Sequence, residues 1–144
     1  KLIIDIQCQE FGFSITLEDQ PDLNDIDGFY RTGGDDFWLA EAKGMIVGTI
    51  AMIDTCDGQG ALRKMFVSRK FRGREFGLAK DLLDTLLDHA RANGFSKIFL
   101  GTAPKFLAAH RFYEKHGFVR LDGPALPARF PRMAIDERFY LLNL

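Results

Sequence analysis

The feature of the sequence that most constrains the fold is a change in hydrophobic period at Gly77. Before it, apolar and β-branched residues form runs that predict three strands, at 37–42, 45–53 and 61–67. Lys43-Gly44 joins the first two runs as a hairpin. After Gly77, leucine and alanine recur every three or four residues as far as Ala90, which predicts an amphipathic helix that Asn93-Gly94 ends. A chain with this order folds as a sheet covered by helices.

The flanking segments extend this pattern to both ends of the chain. A helix is predicted for residues 2–10, although the isoleucines there also suit a strand. After the leucine-periodic helix, the sequence predicts a strand, a helix and two further strands, at 97–102, 104–116, 118–121 and 137–144. Strands 61–67 and 97–102 would be joined by a right-handed β-α-β crossover. We therefore predict one α/β (α+β) domain over residues 1–144, and the start at Lys1 rather than at a methionine leaves open a missing N-terminal strand.

The composition argues against several classes of partner. The formal net charge is −1, so no overall charge attracts nucleic acid or an anionic membrane, and we expect neither as a partner. No apolar run reaches the ~18 residues of a membrane span and no leader pattern opens the sequence, which favours a cytoplasmic protein. Cys8 and Cys56 lack C-x-x-C spacing and the three histidines form no ligand pattern, so we expect free thiols and no metal.

A cationic turn with two glycines lies where the period changes. Residues 61–78 contain six cations and one anion. Unpaired N–H groups and the dipole at a helix N-terminus attract anions, glycine allows close approach, and arginine forms paired hydrogen bonds with phosphate. The turn therefore predicts a diphosphate site, with a solvated loop or an oligonucleotide-binding surface as alternatives. The Walker A and Rossmann glycine patterns are both absent from the sequence.

Two motifs make the chain resemble the GNAT N-acetyltransferase superfamily. The turn Arg72-Gly73-Arg74-Glu75-Phe76-Gly77 fits the family's acetyl-CoA-binding pattern Q/R-x-x-G-x-G/A, except that its fourth residue, Glu75, replaces the usual first glycine. Ala109, Phe112-Tyr113 and Gly117-Phe118 fit a second family segment. The two motifs occur in the family's order, separated by one helix and one strand.

The resemblance implies a mixed, mostly antiparallel central sheet with a splayed pair of strands and helices on both faces. It also implies an acyl-CoA-dependent N-acyltransferase that moves an acetyl or longer acyl group from acetyl-CoA, its co-substrate, to a primary amine by direct attack in a ternary complex. The residues that would bind coenzyme A are Met65, Phe66, Val67, Arg72, Gly73, Arg74, Glu75, Phe76, Gly77, Leu78, Ala79, Phe106 and Ala109. Phe106 replaces an asparagine of many members, so the cofactor arm would rest on an apolar surface there. Tyr113 would protonate the departing thiolate, and a main-chain N–H near Phe66 or Val67 would stabilise the thioester oxygen.

The group that would take the proton from the amine is not evident from the sequence. Related enzymes commonly use a glutamate at positions that correspond here to Ala61 and Gly101, and neither residue can accept a proton. Glu41, Asp54 or His110 could act through water, or bulk water could suffice. The missing carboxylates keep open a catalytically silent CoA-binding sensor or interaction domain, whereas Tyr113 favours an enzyme.

The acceptor would be a small-molecule amine or a protein amine. Strand alternation puts Arg63 on the face of Met65 and Val67, where it would meet an acceptor carboxylate or pair with the acidic segment 17–22. Aromatic residues would wall an acceptor pocket or simply fill the core, namely Phe29, Tyr30, Trp38, Phe130, Phe139 and Tyr140. We expect the proline-rich loop 122–132, with Arg129 and Arg132, to act as a lid. The final strand reads as an exposed edge, which makes a homodimer a further expectation.

Overall fold

In the computed structural model, residues 1–30, 34–73 and 77–144 are described, and they form a six-stranded sheet flanked by helices. The strands are β1 (Asp36–Ala42), β2 (Met45–Cys56), β3 (Gln59–Val67), β4 (Lys97–Thr102), β5 (Val119–Leu121) and β6 (Arg138–Asn143). The α-helices are α1 (Leu2–Asp5), which continues as a π-helical turn at Ile6–Glu10, α2 (Ile26–Tyr30), α3 (Leu78–Ala92) and α4 (Leu107–Lys115). Short 3-10 turns occupy Pro21–Leu23, Arg69–Phe71 and Gly123–Ala125.

The strands are arranged in the order β1-β2-β3-β4-β6-β5. β3 and β4 run parallel, connected through α3, and each of the other neighbouring pairs is antiparallel. The predicted mixed, mostly antiparallel sheet is therefore confirmed, as is the β-α-β connection.

β3 and β4 diverge towards their C-terminal ends. Their register is limited to Gln59↔Lys97, Gly60↔Ile98 and Ala61↔Phe99, although β3 continues to Val67. Main-chain groups of the last residues of β3 therefore face an opening rather than a neighbouring strand. This is the splayed pair that the family resemblance implies.

A bulge at Lys64 interrupts β3 just inside the opening. Lys64 has a φ of 52°, in the left-handed region, and the register with β2 slips between Arg63 and Phe66, so that two residues oppose one. The hydroxyl of Thr49 on β2 donates a 2.6 Å hydrogen bond to the Lys64 carbonyl, which holds the bulge in place.

The bulge reverses the alternation of side chains along β3. Met65 and Val67 pack in the core with α3 and α4, whereas the Arg63 guanidinium lies 5.9 Å from the centroid of the Phe29 ring of α2, on the other face. The expectation that Arg63 shares a face with Met65 and Val67 is wrong, because simple alternation does not survive a bulge. Arg63 is also not the residue that pairs with segment 17–22, since its neighbour Lys64 makes that contact, with Asp22.

Each face of the sheet has its own core. The larger core contains the buried face of α3, predicted from its leucine period, together with residues of β2 to β4, β6 and Tyr113 of α4. The smaller core joins Ile3 of α1 and Tyr30 of α2 to Phe37 and Ala51 of the sheet. Helices therefore cover both faces, as the resemblance implies.

Several elements differ from the sequence-based expectations. β2 extends to Cys56 and β3 begins at Gln59, because the connecting turn contains only Asp57 and Gly58. α4 begins at Leu107 rather than at Pro104, which lies in a turn before the helix. The short helix α2 was not predicted. β6 is not an exposed edge strand, because it pairs with both β4 and β5, so the expectation that a homodimer forms through this strand edge has lost its basis.

Candidate active site

A cavity of about 610 Å³ lies where β3 and β4 diverge. Its lining follows β3 from Leu62 to Val67 and continues into the turn at 69–73. The N-terminal helix, the first half of α4 and the segment before β6 complete the walls, through Ile6, Gln7, Glu10, Phe11, Lys105, Phe106, Ala109, Tyr113, Phe130, Met133 and Asp136. The cavity therefore has a basic end at the turn, a middle beside Met65, and a second end near Arg63.

The basic end contains part of the predicted diphosphate turn. Arg69, Arg72, Gly73 and Ala79 line the cavity. Arg74, Glu75 and Phe76 lie outside the described residues. Gly77 has a φ of 60° and immediately precedes α3, where its left-handed conformation suits glycine, but neither Gly77 nor Leu78 lines the cavity.

Arg72 is held at this end by partners of its own chain. Its Nε donates to the carbonyl of Val67 at 2.9 Å, and its two terminal nitrogens form a bidentate ion pair with Glu10. The guanidinium therefore links the end of β3 to the N-terminal helix and keeps a cation at the mouth of the cavity.

The middle of the cavity contains Tyr113. Its hydroxyl donates a weak 3.6 Å hydrogen bond to the sulfur of Met65, and the ring packs 5.5 Å from that of Phe118. The side chain is almost fully buried, and this burial, with a smaller effect of the Asp136 charge, raises the pKa of the phenol. Tyr113 therefore stays protonated at neutral pH.

An aromatic cluster forms one wall between the basic end and Tyr113. Phe106 contacts Phe11 edge-to-face at 4.7 Å between ring centroids, and lies 5.5 Å from Phe13 and 6.2 Å from Phe66. Ala109 lies one helical turn beyond it in the cavity wall. The apolar surface predicted at Phe106 is present.

At the second end of the cavity, the lining residue Lys64 contacts polar side chains that lie behind the cavity wall. Lys64 is buried, where it donates to the Oε1 of Gln20 and lies 3.8 Å from the Oδ2 of Asp22. Asp22 in turn accepts a hydrogen bond from the hydroxyl of Tyr30. Burial lowers the pKa of Lys64 to about 8, against the opposing effect of Asp22.

Arg63 lines the same end with its guanidinium free of ion pairs and hydrogen bonds to residues 1–30, 34–73 and 77–144. The guanidinium lies over the face of the Phe29 ring. Within the described part of the chain, no acidic side chain pairs with this guanidinium, which makes it a candidate to bind an anionic group in the cavity.

The expected substitutes for a base do not reach the cavity. His110 is buried with both ring nitrogens engaged, one 3.0 Å from the Ala103 carbonyl and the other 3.0 Å from Arg138. Glu41 and Asp54 are on β1 and β2, and neither lines the cavity wall. Ala61 is fully buried and Gly101 lines the cavity, and neither residue has a carboxylate.

Asp136 is the acidic residue that sequence reasoning missed. It lies in the turn before β6, is 7% exposed and lines the cavity. Burial raises its pKa, while a hydrogen bond from the Met133 N–H and the charges of Arg63, Arg132 and Lys64 act in the opposite direction. No local motif marks Asp136, because it reaches the cavity through the pairing of β6 with β4.

The predicted aromatic pocket is only partly present. Phe130 and Pro131 line the cavity, so loop 122–132 does cover it in part. Trp38 does not reach the site, because it is on the outer strand β1 with its ring 5.0 Å from that of His89. Tyr30, Phe139 and Tyr140 are buried core residues, while Phe29 is exposed.

The arginines of loop 122–132 are attached to the body of the protein. Arg129 donates to the sulfur of Cys56 at 2.8 Å, and the Arg132 guanidinium lies 4.8 Å from the centroid of the Phe139 ring. Neither side chain lines the cavity. Their anchoring at two places suggests a fixed wall rather than a movable lid.

Within the described ranges, no group of three His, Cys, Asp or Glu side chains is placed to hold a metal ion. Among those same residues, none of the helices combines the length and apolar character needed to cross a bilayer.

Comparisons with known proteins agree on one family. The model of the family described as "Acetyltransferase (GNAT) family" matches residues 1–118. A crystal structure of a GNAT-family acetyltransferase from Staphylococcus aureus Mu50 superimposes with a TM-score of 0.95 at 38% identity, over 99% of this chain and 88% of that one. An acetyltransferase from Streptococcus agalactiae gives a TM-score of 0.94 at 31% identity, with 99% and 87% covered.

Curated relatives include larger proteins. N-acetylaspartate synthetase of Danio rerio is 37% identical over 102 residues, which are 69% of this chain and 36% of that protein. The Homo sapiens protein of the same name is 36% identical over 124 residues, or 83% and 40% of the two chains. The chain thus spans well under half the length of these relatives.

Proposed function

The chain belongs to the GNAT acetyltransferase family, as its two motifs indicated, and from this premise we propose that it transfers an acetyl group from acetyl-CoA to a primary amine. Acetyl-CoA would supply the acetyl group as a thioester, activated for attack by nitrogen. The transfer would be direct, in a complex of enzyme with both substrates.

Two features of the cavity support acetyl-CoA as the co-substrate: the chemistry of its walls, and the sequence in which the basic end, the aromatic wall and the free edge of β3 follow one another. The cationic turn at Arg69, Arg72 and Gly73 suits a diphosphate, and the aromatic wall at Phe106 suits an uncharged arm. The edge of β3 at Met65–Val67 lacks a β4 partner and would bind an extended arm through its main chain. Ala109 would contact the arm of CoA. The diphosphate would also be bound by the rest of the turn and the start of α3, namely Arg74, Glu75, Phe76, Gly77, Leu78 and Ala79.

One observation carries the proposal: the hydroxyl of Tyr113 meets Met65, midway along the unpaired part of β3. A thioester aligned along that edge would have a main-chain N–H of Phe66 or Val67 near its oxygen, worth about 3 kcal/mol of stabilisation when charge develops there. Tyr113 would then donate its proton to the departing sulfur.

The cysteines support direct transfer. Cys8 donates to the carbonyl of Ile15 at 3.0 Å, Cys56 is exposed beside Arg129, and neither lines the cavity. An acyl-cysteine intermediate would need a thiol at the thioester. Initial-rate lines that intersect when both substrates are varied would support direct transfer, and parallel lines would contradict it.

For the acceptor, we propose a primary amine that also carries a carboxylate. Arg63 lines the end of the cavity beyond Tyr113, its guanidinium has no ion-pair partner among residues 1–30, 34–73 and 77–144, and arginine is well suited to bind a carboxylate. The relatives named N-acetylaspartate synthetase make L-aspartate the first compound to test.

The test is release of free thiol from acetyl-CoA with L-aspartate, glycylglycine or spermidine as acceptor. We expect turnover with at least one of these amines, and a product heavier by one acetyl group. CoA binding without thiol release in all three cases would instead support the CoA-binding sensor, which the residues Ala61 and Gly101 favour.

A further inference from the structure

A carboxylate from another segment occupies the space beside Gly101. A Cβ built on Gly101 would lie 2.7 Å from Oδ2 of Asp136 and 3.1 Å from its Cβ, so any side chain there would displace Asp136. The glycine at the end of β4 therefore makes room for an acid that comes from the turn before β6.

The turn holds Asp136 firmly in this place. The N–H of Met133 donates to Oδ2 at 2.9 Å, and the N–H of Glu137 donates to the carbonyl of Thr102 at 3.1 Å, at the end of β4. Oδ1 accepts no hydrogen bond from the parts of the chain that the structure describes. One carboxylate oxygen thus anchors the residue, and the other remains for a ligand in the cavity.

The surroundings of Asp136 suit a group that takes up and releases a proton. Arg63, Lys64 and Arg132 favour its ionised form, whereas burial favours the protonated form. Tyr113 lines the same cavity, and the charge of Asp136 contributes to the raised pKa of that phenol. Asp136 and Tyr113 would therefore have complementary roles in one reaction in this cavity, Asp136 as the base and Tyr113 as the acid.

Resting on the function proposed above, we propose that Asp136 is the catalytic base, which binds the ammonium group of the acceptor and removes its proton. The Oδ1 of Asp136 takes one proton from the ammonium, and the freed lone pair of nitrogen forms the C–N bond to the acetyl carbon. The C–S bond breaks, and the sulfur takes the proton of the Tyr113 hydroxyl. The tyrosinate recovers the second proton that nitrogen loses, and Asp136 passes its proton to water.

The first test is Asp136→Asn, with the fastest of the three amines named above as acceptor. Asparagine still accepts the Met133 N–H, so folding and CoA binding should persist, while kcat/KM at pH 7 falls about 100-fold or more. The difference in kcat/KM between the variant and the wild type should become smaller at pH values near the pKa of the amine, because much of the acceptor is then already deprotonated. Glu137→Gln, at the exposed neighbouring residue, should match the wild type.

The second test moves the carboxylate back to β4. Asp136→Gly should be nearly inactive, and Gly101→Glu combined with Asp136→Gly should recover at least about 10-fold in kcat/KM, because the glutamate enters the space left by the whole aspartate side chain, including the Cβ that lies 3.1 Å from a Cβ at position 101. Structural damage alone would not be repaired by a larger residue at 101.

The outcomes separate this inference from the proposed function. An active wild type with Asp136→Asn of equal kcat/KM and equal pH profile overturns the role of Asp136 and leaves acetyl transfer intact. A loss that stays constant with pH also overturns it, since it would show positioning of the ammonium without proton removal. A wild type that releases no thiol with any of the three amines contradicts both.

Discussion

Arg72 of the cationic turn and Glu10 at the end of the N-terminal helix form a bidentate ion pair at the mouth of the cavity. The pair keeps a guanidinium at the place where we propose that diphosphate binds, but it also places a carboxylate there. Glu10 and an incoming phosphate would therefore compete for Arg72.

Glu10→Gln tests this competition. Removing the negative charge should tighten CoA binding about 3- to 10-fold, the equivalent of roughly 1 kcal/mol, and the gain should decrease with salt. The cost in stability should stay below about 1 kcal/mol, because the ion pair is partly exposed. Calorimetric titration with CoA measures the first effect, with Glu18→Gln, an exposed acid outside the cavity lining, as the control. Weaker binding would mean that Glu10 serves mainly to position Arg72.

Tyr113→Phe should separate chemistry from binding. Loss of the hydroxyl removes the proposed proton donor, so kcat should fall about 10²-fold or more. The dissociation constant of CoA and the melting temperature should change little, because the hydroxyl makes only a weak contact with the Met65 sulfur. Steady-state kinetics with thiol detection gives the first number and calorimetry the second. Unchanged kcat would remove Tyr113 from the mechanism.

Gly101→Ala should disturb Asp136 without touching the phosphate end. The new methyl group would lie 2.7 Å from the Asp136 carboxylate and force the turn before β6 to shift. We expect kcat/KM to fall at least about 10-fold while CoA affinity stays the same. A variant that is as active as the wild type would show that the placement of Asp136 is not critical. Gly123→Ala is the control, because Gly123 does not line the cavity, has no left-handed φ, and a Cβ there would lie no closer than 3.6 Å to its neighbours.

Because Lys64 is buried, we expect the free energy of unfolding to rise with pH in the alkaline range. Its folded-state pKa is about 8, below the 10.5 of an exposed lysine, so between these values the unfolded chain binds more protons than the folded one. The free energy of unfolding should therefore increase by about 1–2 kcal/mol from pH 7.5 to 9.5, relative to Lys64→Met. Urea unfolding at several pH values measures the difference. The groups that face Lys64 are Gln20, Asp22, Arg63 and Asp136, and both proteins retain them. A flat difference would mean that Lys64 is not desolvated.

The sequence predicted what depends on local pattern. The leucine period of α3, the hairpin at Lys43-Gly44 and the order of strands and helices follow from spacing within short windows, and all three are present. The family motifs likewise placed Tyr113 and the basic turn near one another.

What the sequence did not predict depends on contacts between distant segments. The bulge at Lys64 needs a left-handed φ at a residue with no preference for it, and Thr49 on the neighbouring strand helps to hold it. Because of that bulge, the Arg63 side chain lies on the opposite face of the sheet from Met65 and Val67. The site of Asp136 depends on β6 pairing with β4 beside Gly101, and strand order is a property of the whole sheet.

The most direct test of the account is calorimetric titration of the folded wild-type protein with CoA, since every proposed role requires that cofactor in the cavity along β3. We predict saturable heat with one CoA bound per chain, weakened by salt and competed by acetyl-CoA. A folded protein that gives no heat with CoA or acetyl-CoA would contradict the account.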